Sequence, residues 1–163
     1  MEQVGKYHIL FVCLGNICRS PAAQGVMQRL ADESGLTHRI FLDSAGFGSW
    51  HVGDLPDIRM RRKGKEHGYQ FDHRARVIDK QTDFKKFDKI LVMDRSNYSD
   101  ALNLAPTEQA KDKIEYLASY MTRHPGQSDI PDPYYGTEKD FEKVIELLED
   151  ACTGLLTKLK LQL

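Results

Sequence analysis

The chain has 163 residues, with 23 basic and 24 acidic side chains and a net charge of −1. That length fits one domain, residues 1–163, whose core needs no disulfide or metal to hold it. The balanced charge excludes a globally basic nucleic-acid binder or a membrane-surface protein, and no apolar stretch reaches the length of a membrane span.

The first residues, Met1-Glu2-Gln3-Val4-Gly5-Lys6, show no basic segment followed by an apolar run, so no signal peptide is read there. Cysteine occurs at positions 13, 18 and 152. This odd, low count argues against a disulfide framework and for a reducing compartment. A cytoplasmic monomer is expected, although export without a recognisable signal stays open.

In chain order, His8 to Cys13 is apolar throughout, as a strand inside a parallel sheet should be. Gly15-Asn16 breaks it. Ser20 offers an N-cap and Pro21 suits a first helical position. Ala22, Ala23, Val26, Met27, Leu30 and Ala31 then recur at helical spacing until Ser34-Gly35. Arg39 to Ala45 reads as a second strand closed by Gly46, and 47–56 as a loop carrying Trp50 and His51.

A basic helix is expected over 57–67, ending at Gly68, and a short helical piece around 80–87. Lys89 to Asp94 makes a third strand, Ser96 to Leu104 a short helix, and Ile114 to Leu117 a fourth strand. A Pro- and Gly-rich loop spans 123–136. The last helix runs from Glu138 to about Leu159, with Phe141, Val144, Ile145, Leu148, Ala151, Cys152 and Leu155 on one stripe.

Strands alternating with helices imply a doubly wound α/β sandwich, because parallel neighbours need right-handed crossovers. Ligands in such sheets bind outside the carboxyl ends of the strands. Cys13, Ser44-Ala45-Gly46 and Asp94 all fall there.

A strand, a glycine-containing turn and a helix N-terminus together form an anion site. From Cys13 through Leu14, Gly15, Asn16, Ile17 and Cys18 to Arg19 and Ser20, the backbone can direct several N–H groups at a phosphate. Arg19 adds a planar fork. The same positive field favours a thiolate, the attacking form of cysteine. Cys13 is thus placed as a nucleophile toward phosphorus, giving a thiophosphate, with Arg19 and the loop stabilising the equatorial oxygens. Ser20 can hydrogen-bond the sulfur. The departing oxygen needs an acid, and Asp132, between Pro131 and Pro133, is the best candidate; it would serve as base for water in the second step.

The loop Cys13-Leu14-Gly15-Asn16-Ile17-Cys18-Arg19-Ser20-Pro21, taken with Asp132-Pro133-Tyr134-Tyr135, closely resembles the low-molecular-weight protein tyrosine phosphatases. The likeness extends through Asp43 to Gly46, Trp50 to Gly53, Asp57 to Arg59, His73 to Arg76 and Met93 to Asn97. It implies a flavodoxin-like sheet of four parallel strands, order 2-1-3-4, and hydrolysis of protein phosphotyrosine without metal or cofactor. It implies Cys13 as nucleophile, Arg19 as phosphate clamp and Asp132 as acid. Asn16 becomes a loop-shaping residue supported by Ser44 and His73, and Trp50, Tyr134 and Tyr135 become cleft residues. Inorganic phosphate would be product and inhibitor. The resemblance also implies a reversible Cys13–Cys18 disulfide and modification of the tyrosine pair.

Ile17 favours an aryl substrate, since related arginine phosphatases carry a smaller, polar residue there. No cysteine lies between Cys18 and Cys152, which argues against the related arsenate reductases. The pattern departs at Phe47-Gly48-Ser49, where many relatives have threonine and other polar residues.

Plainer readings stand beside these. Cys152, on the apolar stripe, reads as buried packing. Asp132 alone suits a turn before proline. His73 suits a solvated surface, Ser44 a strand end, and Trp50 partly buried packing. Arg59, Arg61, Arg62, Lys63 and Lys65 suit a solvated helix face. His8 and His51 lack metal-ligand spacing to either cysteine.

Overall fold

The computed structural model describes residues 5–163, so the signal-peptide reading of residues 1–4 lies outside it. Four parallel strands, β1 (Tyr7–Cys13), β2 (Ile40–Gly46), β3 (Lys89–Val92) and β4 (Ile114–Tyr116), lie in the order β2-β1-β3-β4. This is the expected 2-1-3-4 arrangement. The helices are α1 (Arg19–Glu33), α2 (Ile58–Glu66), α3 (Asp83–Lys86), α4 (Arg95–Leu104), α5 (Glu108–Lys111) and α6 (Glu138–Lys160).

Side chains alternate across a strand, so the central β1 feeds two cores. Ile9, Phe11 and Cys13 pack with α1 and α6, while Leu10 and Val12 pack with Phe84, Phe87, Ala101 and Ala110. Cys152 is fully buried in the first core, as its place on the stripe implied. Among the described residues no helix is long and apolar enough to cross a membrane.

Several boundaries differ from expectation for identifiable reasons. Ser20 is not the N-cap of α1: Cys18 holds that place without a side-chain bond, and the Ser20 hydroxyl turns inward instead. Pro21 is the third helical residue, where an N–H would still lack an intrahelical partner. Asp94 leaves β3 to cap α4, its Oδ1 accepting from the Asn97 N–H at 2.8 Å. Leu117 leaves β4 and opens a 3₁₀ turn, Leu117–Tyr120, and α5 is too short to show a periodic pattern.

The 123–136 loop is fastened at its base by Asp150 of α6. This buried carboxylate accepts the backbone N–H of Thr122 and of Arg123, each at 2.9 Å, and Nδ1–H of His124 at 2.7 Å. Burial alone would raise its pKa, but these donors outweigh it and hold the group down to about 2. A pKa depressed by folding stabilises above the unfolded value, about 4 for aspartate, and that contribution fades as pH falls toward 2. Asp150→Ala should therefore cost about 1–3 kcal/mol at pH 7. At about 2–4 °C per kcal/mol, thermal melts should show a gap between the proteins that narrows below pH 4.

Candidate active site

Cys13 ends β1, and residues 14–18 curl from it to the first turn of α1. The curl is tight because Gly46, beside Cys13 in the sheet, has no side chain: a Cβ there would sit 2.9 Å from the Leu14 carbonyl and 3.0 Å from Asn16. Asn16 turns the chain at φ 58°, a left-handed conformation that asparagine tolerates better than most residues.

The Asn16 amide is fully committed. Its Oδ1 accepts the backbone N–H of Arg76 at 3.0 Å and Nε2–H of His73 at 3.2 Å. The backbone donor fixes the orientation of the amide, so Nδ2 faces the other way. Nδ2 donates to Ser20 Oγ at 2.7 Å and to Ser44 Oγ at 3.0 Å, and Ser44 passes its proton on to Gln24 Oε1 at 2.7 Å. Ser20 Oγ receives the Asn16 hydrogen, and its own proton has two acceptors, Cys13 Sγ at 3.0 Å and, at a longer 3.5 Å, the Ala45 carbonyl. His73 is not a solvated side chain. Burial lowers its pKa more than Asp43 raises it, which favours the neutral ring.

Arg19 is only 3% exposed. Its Nη1 spends both hydrogens, one on Asp94 Oδ2 at 2.6 Å and one on the Ile130 carbonyl at 2.9 Å. Burial opposes its charge, but Cys13 and the Asp94 carboxylate outweigh that and hold the guanidinium more firmly protonated than usual. The Nε and Nη2 hydrogens remain for a bound anion. The role of Asp94 was not read from sequence, although its place at a strand end and the Asp94-to-Asn97 cap spacing were legible.

Asp132 shapes the turn that an aspartate before proline suggests, and its second oxygen faces Arg19. Oδ1 accepts the Tyr134 N–H at 3.0 Å and shapes the turn, while Oδ2 lies 3.8 Å from Arg19 Nη2. A cavity of about 380 Å³ joins these groups, lined by Cys13 and Arg19 at its floor and by Ile17, Trp50, Asp132 and Tyr134 around it. Trp50 is 69% and Tyr135 95% exposed, so both stand at the rim. Among the described residues no group of three His, Cys, Asp or Glu side chains could hold a metal ion.

Arg59 departs from the solvated face read for its helix. Its Nε and Nη2 grip Asp57 at 3.0 and 2.8 Å, and its guanidinium lies 5.3 Å from the Tyr134 ring centre and 4.6 Å from that of Phe141. Asp57 in turn caps α2 and donates its N–H to the Ile17 carbonyl at 2.8 Å. The pair braces Tyr134 from behind, a role with no signal in residue spacing.

The model for low molecular weight phosphotyrosine protein phosphatases matches residues 8–163. A low molecular weight protein-tyrosine-phosphatase of Streptomyces coelicolor is 41% identical, over 96% of this chain and 95% of that one. The human low molecular weight phosphotyrosine protein phosphatase is 42% identical, over 96% and 98%. Among solved structures, a protein tyrosine phosphatase of Entamoeba histolytica superposes with a TM-score of 0.91 at 47% identity, covering 95% of this chain and 97% of that chain. A drosophila arginine phosphatase superposes at 0.86 with 34% identity, covering 93% and 97%. With a matching model along nearly its whole length and relatives at this level of identity, the chain belongs to the low molecular weight phosphotyrosine protein phosphatase family.

Proposed function

We propose that this protein hydrolyses phosphotyrosine in proteins, and aryl phosphates generally, through a phosphocysteine on Cys13. The observation that carries this reading is the convergence on one cavity of Cys13 Sγ, the free Nε and Nη2 edge of Arg19 and Oδ2 of Asp132.

The substrate phosphate enters the loop with its ring between Trp50 and Tyr134, whose flat faces suit an aryl group. The Cys13 thiolate attacks phosphorus in line with the phenolic oxygen. As the P–O bond breaks, protonated Asp132 delivers its proton to the leaving oxygen. The loop amides and the free edge of Arg19 take the equatorial oxygens. Water then attacks the phosphocysteine, Asp132 removes its proton, and the P–S bond breaks. The electron pair of that bond leaves on Cys13 as a thiolate, which accepts a hydrogen bond from the Ser20 hydroxyl, 3.0 Å away. Inorganic phosphate is the product and competes for the same loop.

Arg19 is fixed before substrate arrives, because Asp94 and Ile130 hold one nitrogen while the other edge waits for phosphate. Little ordering is then left for the transition state to require. A second reading, phosphoarginine as substrate, is favoured by the drosophila relative alone; Ile17 on the cavity wall opposes it with an apolar side chain where a guanidinium would need a polar partner. Three free cysteines accord with a cytoplasmic setting.

Cys18 has no part in hydrolysis. Burial first, then Asp57, raises its pKa and keeps it a neutral thiol. We assign it the trapping of oxidised Cys13: a sulfenic acid formed there by peroxide condenses with the Cys18 thiol, releasing water and leaving a reducible disulfide.

A panel of phosphotyrosine, phosphoserine and phosphoarginine tests the substrate class, with turnover of the first expected and preference for the third overturning the reading. Cys13→Ser should abolish turnover of an aryl phosphate while still binding phosphate; substantial residual turnover would remove Cys13 as nucleophile. Asp132→Ala should slow poorly activated phenols by roughly 10²–10⁴-fold and activated leaving groups far less. Equal losses would exclude it as the acid. After mild peroxide, a thiol reductant should restore activity to the wild type but not to Cys18→Ser, and equal recovery would remove Cys18 as the trap.

A further inference from the structure

A second hollow, of about 320 Å³, lies against the catalytic cavity and shares two walls with it, Leu14 and Trp50. Phe47 and Gly48 form one side and Leu104 and Asp100 of α4 the other. Its construction follows from Phe47 and Gly48, the two residues that follow β2. Phe47 packs onto the core beneath, and the Phe47 and Gly48 N–H groups donate to the Cys13 and Leu14 carbonyls at 3.2 and 2.9 Å. This floor is therefore tied to the nucleophile loop itself. The Trp50 ring lies directly over Gly48, where a Cβ would come within 1.8 Å of it. Only glycine lets the indole lie there, as a partition between the two hollows.

The hollow has a chemical character distinct from that of the catalytic cavity. Leu14, Phe47, Trp50 and Leu104 are largely apolar, Asn103 adds an uncharged amide, and the single charged group is Asp100. Asp100 makes no ion pair and no side-chain hydrogen bond among the described residues. Asp100 and Leu104 are one helical turn apart, so an aliphatic chain lying on Leu104 ends beside the carboxylate. Apolar walls with an unpaired carboxylate at one end suit a lysine or arginine, whose methylene stem covers apolar surface while its head meets the charge. The same carboxylate repels an acidic side chain.

Resting on the phosphotyrosine reading above, we propose that this hollow is a specificity subsite for a lysine or arginine within two residues of the phosphotyrosine in a protein substrate. The phosphotyrosyl ring fills one side of Trp50 and the basic side chain the other. Asp100 is the specificity-determining residue, and it is carried on the helix whose N-cap, Asp94, also holds Arg19.

The test compares kcat/KM for phosphotyrosine peptides identical except for Lys, Leu or Glu at each of the two positions on either side. An aryl phosphate without peptide serves as the reference substrate, and the proteins are wild type, Asp100→Asn and Asp100→Lys. Wild type should prefer Lys over Glu at one of these positions by roughly three- to fivefold, the size expected of a solvent-exposed ion pair. Asp100→Asn should remove that preference and Asp100→Lys should invert it, with turnover of the aryl phosphate unchanged in both. A Lys-to-Glu ratio equal in all three proteins, with aryl phosphate turnover intact, overturns the subsite alone. Absence of aryl phosphate turnover in wild type overturns the phosphatase reading and the subsite with it.

Discussion

Arg19 Nη1 reaches the Asp94 carboxylate at 2.6 Å and the Ile130 carbonyl at 2.9 Å, and through these two bonds one nitrogen joins α1, α4 and the 123–136 loop. A guanidinium buried to this degree is costly unless it is paired and its hydrogens are used. Asp94 meets that demand with one oxygen while its other oxygen caps α4. Ile130 meets it with a carbonyl that is itself held, since the Ile130 N–H donates to Met93 at 2.8 Å. The buried guanidinium thus also locks the loop that carries Asp132. Removing either partner would leave a buried cation short of a bond, so site and scaffold are not separable here.

The second constraint is the polarity of the Asn16 network. One amide accepts on one side and donates on the other, so the direction of every hydrogen bond from Arg76 and His73 through to Ser20 and Ser44 is fixed. That direction makes Ser20 Oγ an acceptor from Asn16 and leaves its proton for the nearer of two acceptors, the sulfur at 3.0 Å rather than the Ala45 carbonyl at 3.5 Å. The segment bearing His73 and Arg76 comes alongside because Gly46 bridges to Val77: the Gly46 N–H donates to the Arg76 carbonyl, and the Ile78 N–H donates back to Gly46. Gly46 therefore does two jobs, admitting the loop on one side and docking its support on the other.

The 123–136 loop looks unconstrained in sequence yet is fixed at several points. Asp150 holds its base, Ile130 its middle, and the Thr137–Asp140 capping box ends it at the start of α6. Between Ile130 and Thr137, Asp132 stays at the surface, 43% exposed. Arg59 braces the adjacent Tyr134 from α2.

The apolar run into Cys13, the alternation of strands and helices, the Cys13-to-Ser20 loop and the Asp132-Pro133 turn were legible because each is a local pattern: periodicity, breakers, or residues whose chemistry needs close spacing. Those patterns determined the fold class, the sheet order by resemblance, and the residues that meet at the site. Tertiary structure alone decided what Asp94, Arg59, Gln24 and Asp150 do. Ser20 carried two readings, a helix cap and a partner for the sulfur, and its contacts with Cys13 and Asn16 decided for the second. Asp94 and Arg19 are 75 residues apart, and Asp100 faces Trp50 only because α4 lies beside the loop after β2. Partners so distant leave no mark in spacing, since what selects them is the need of a buried charge or an open hollow for its complement.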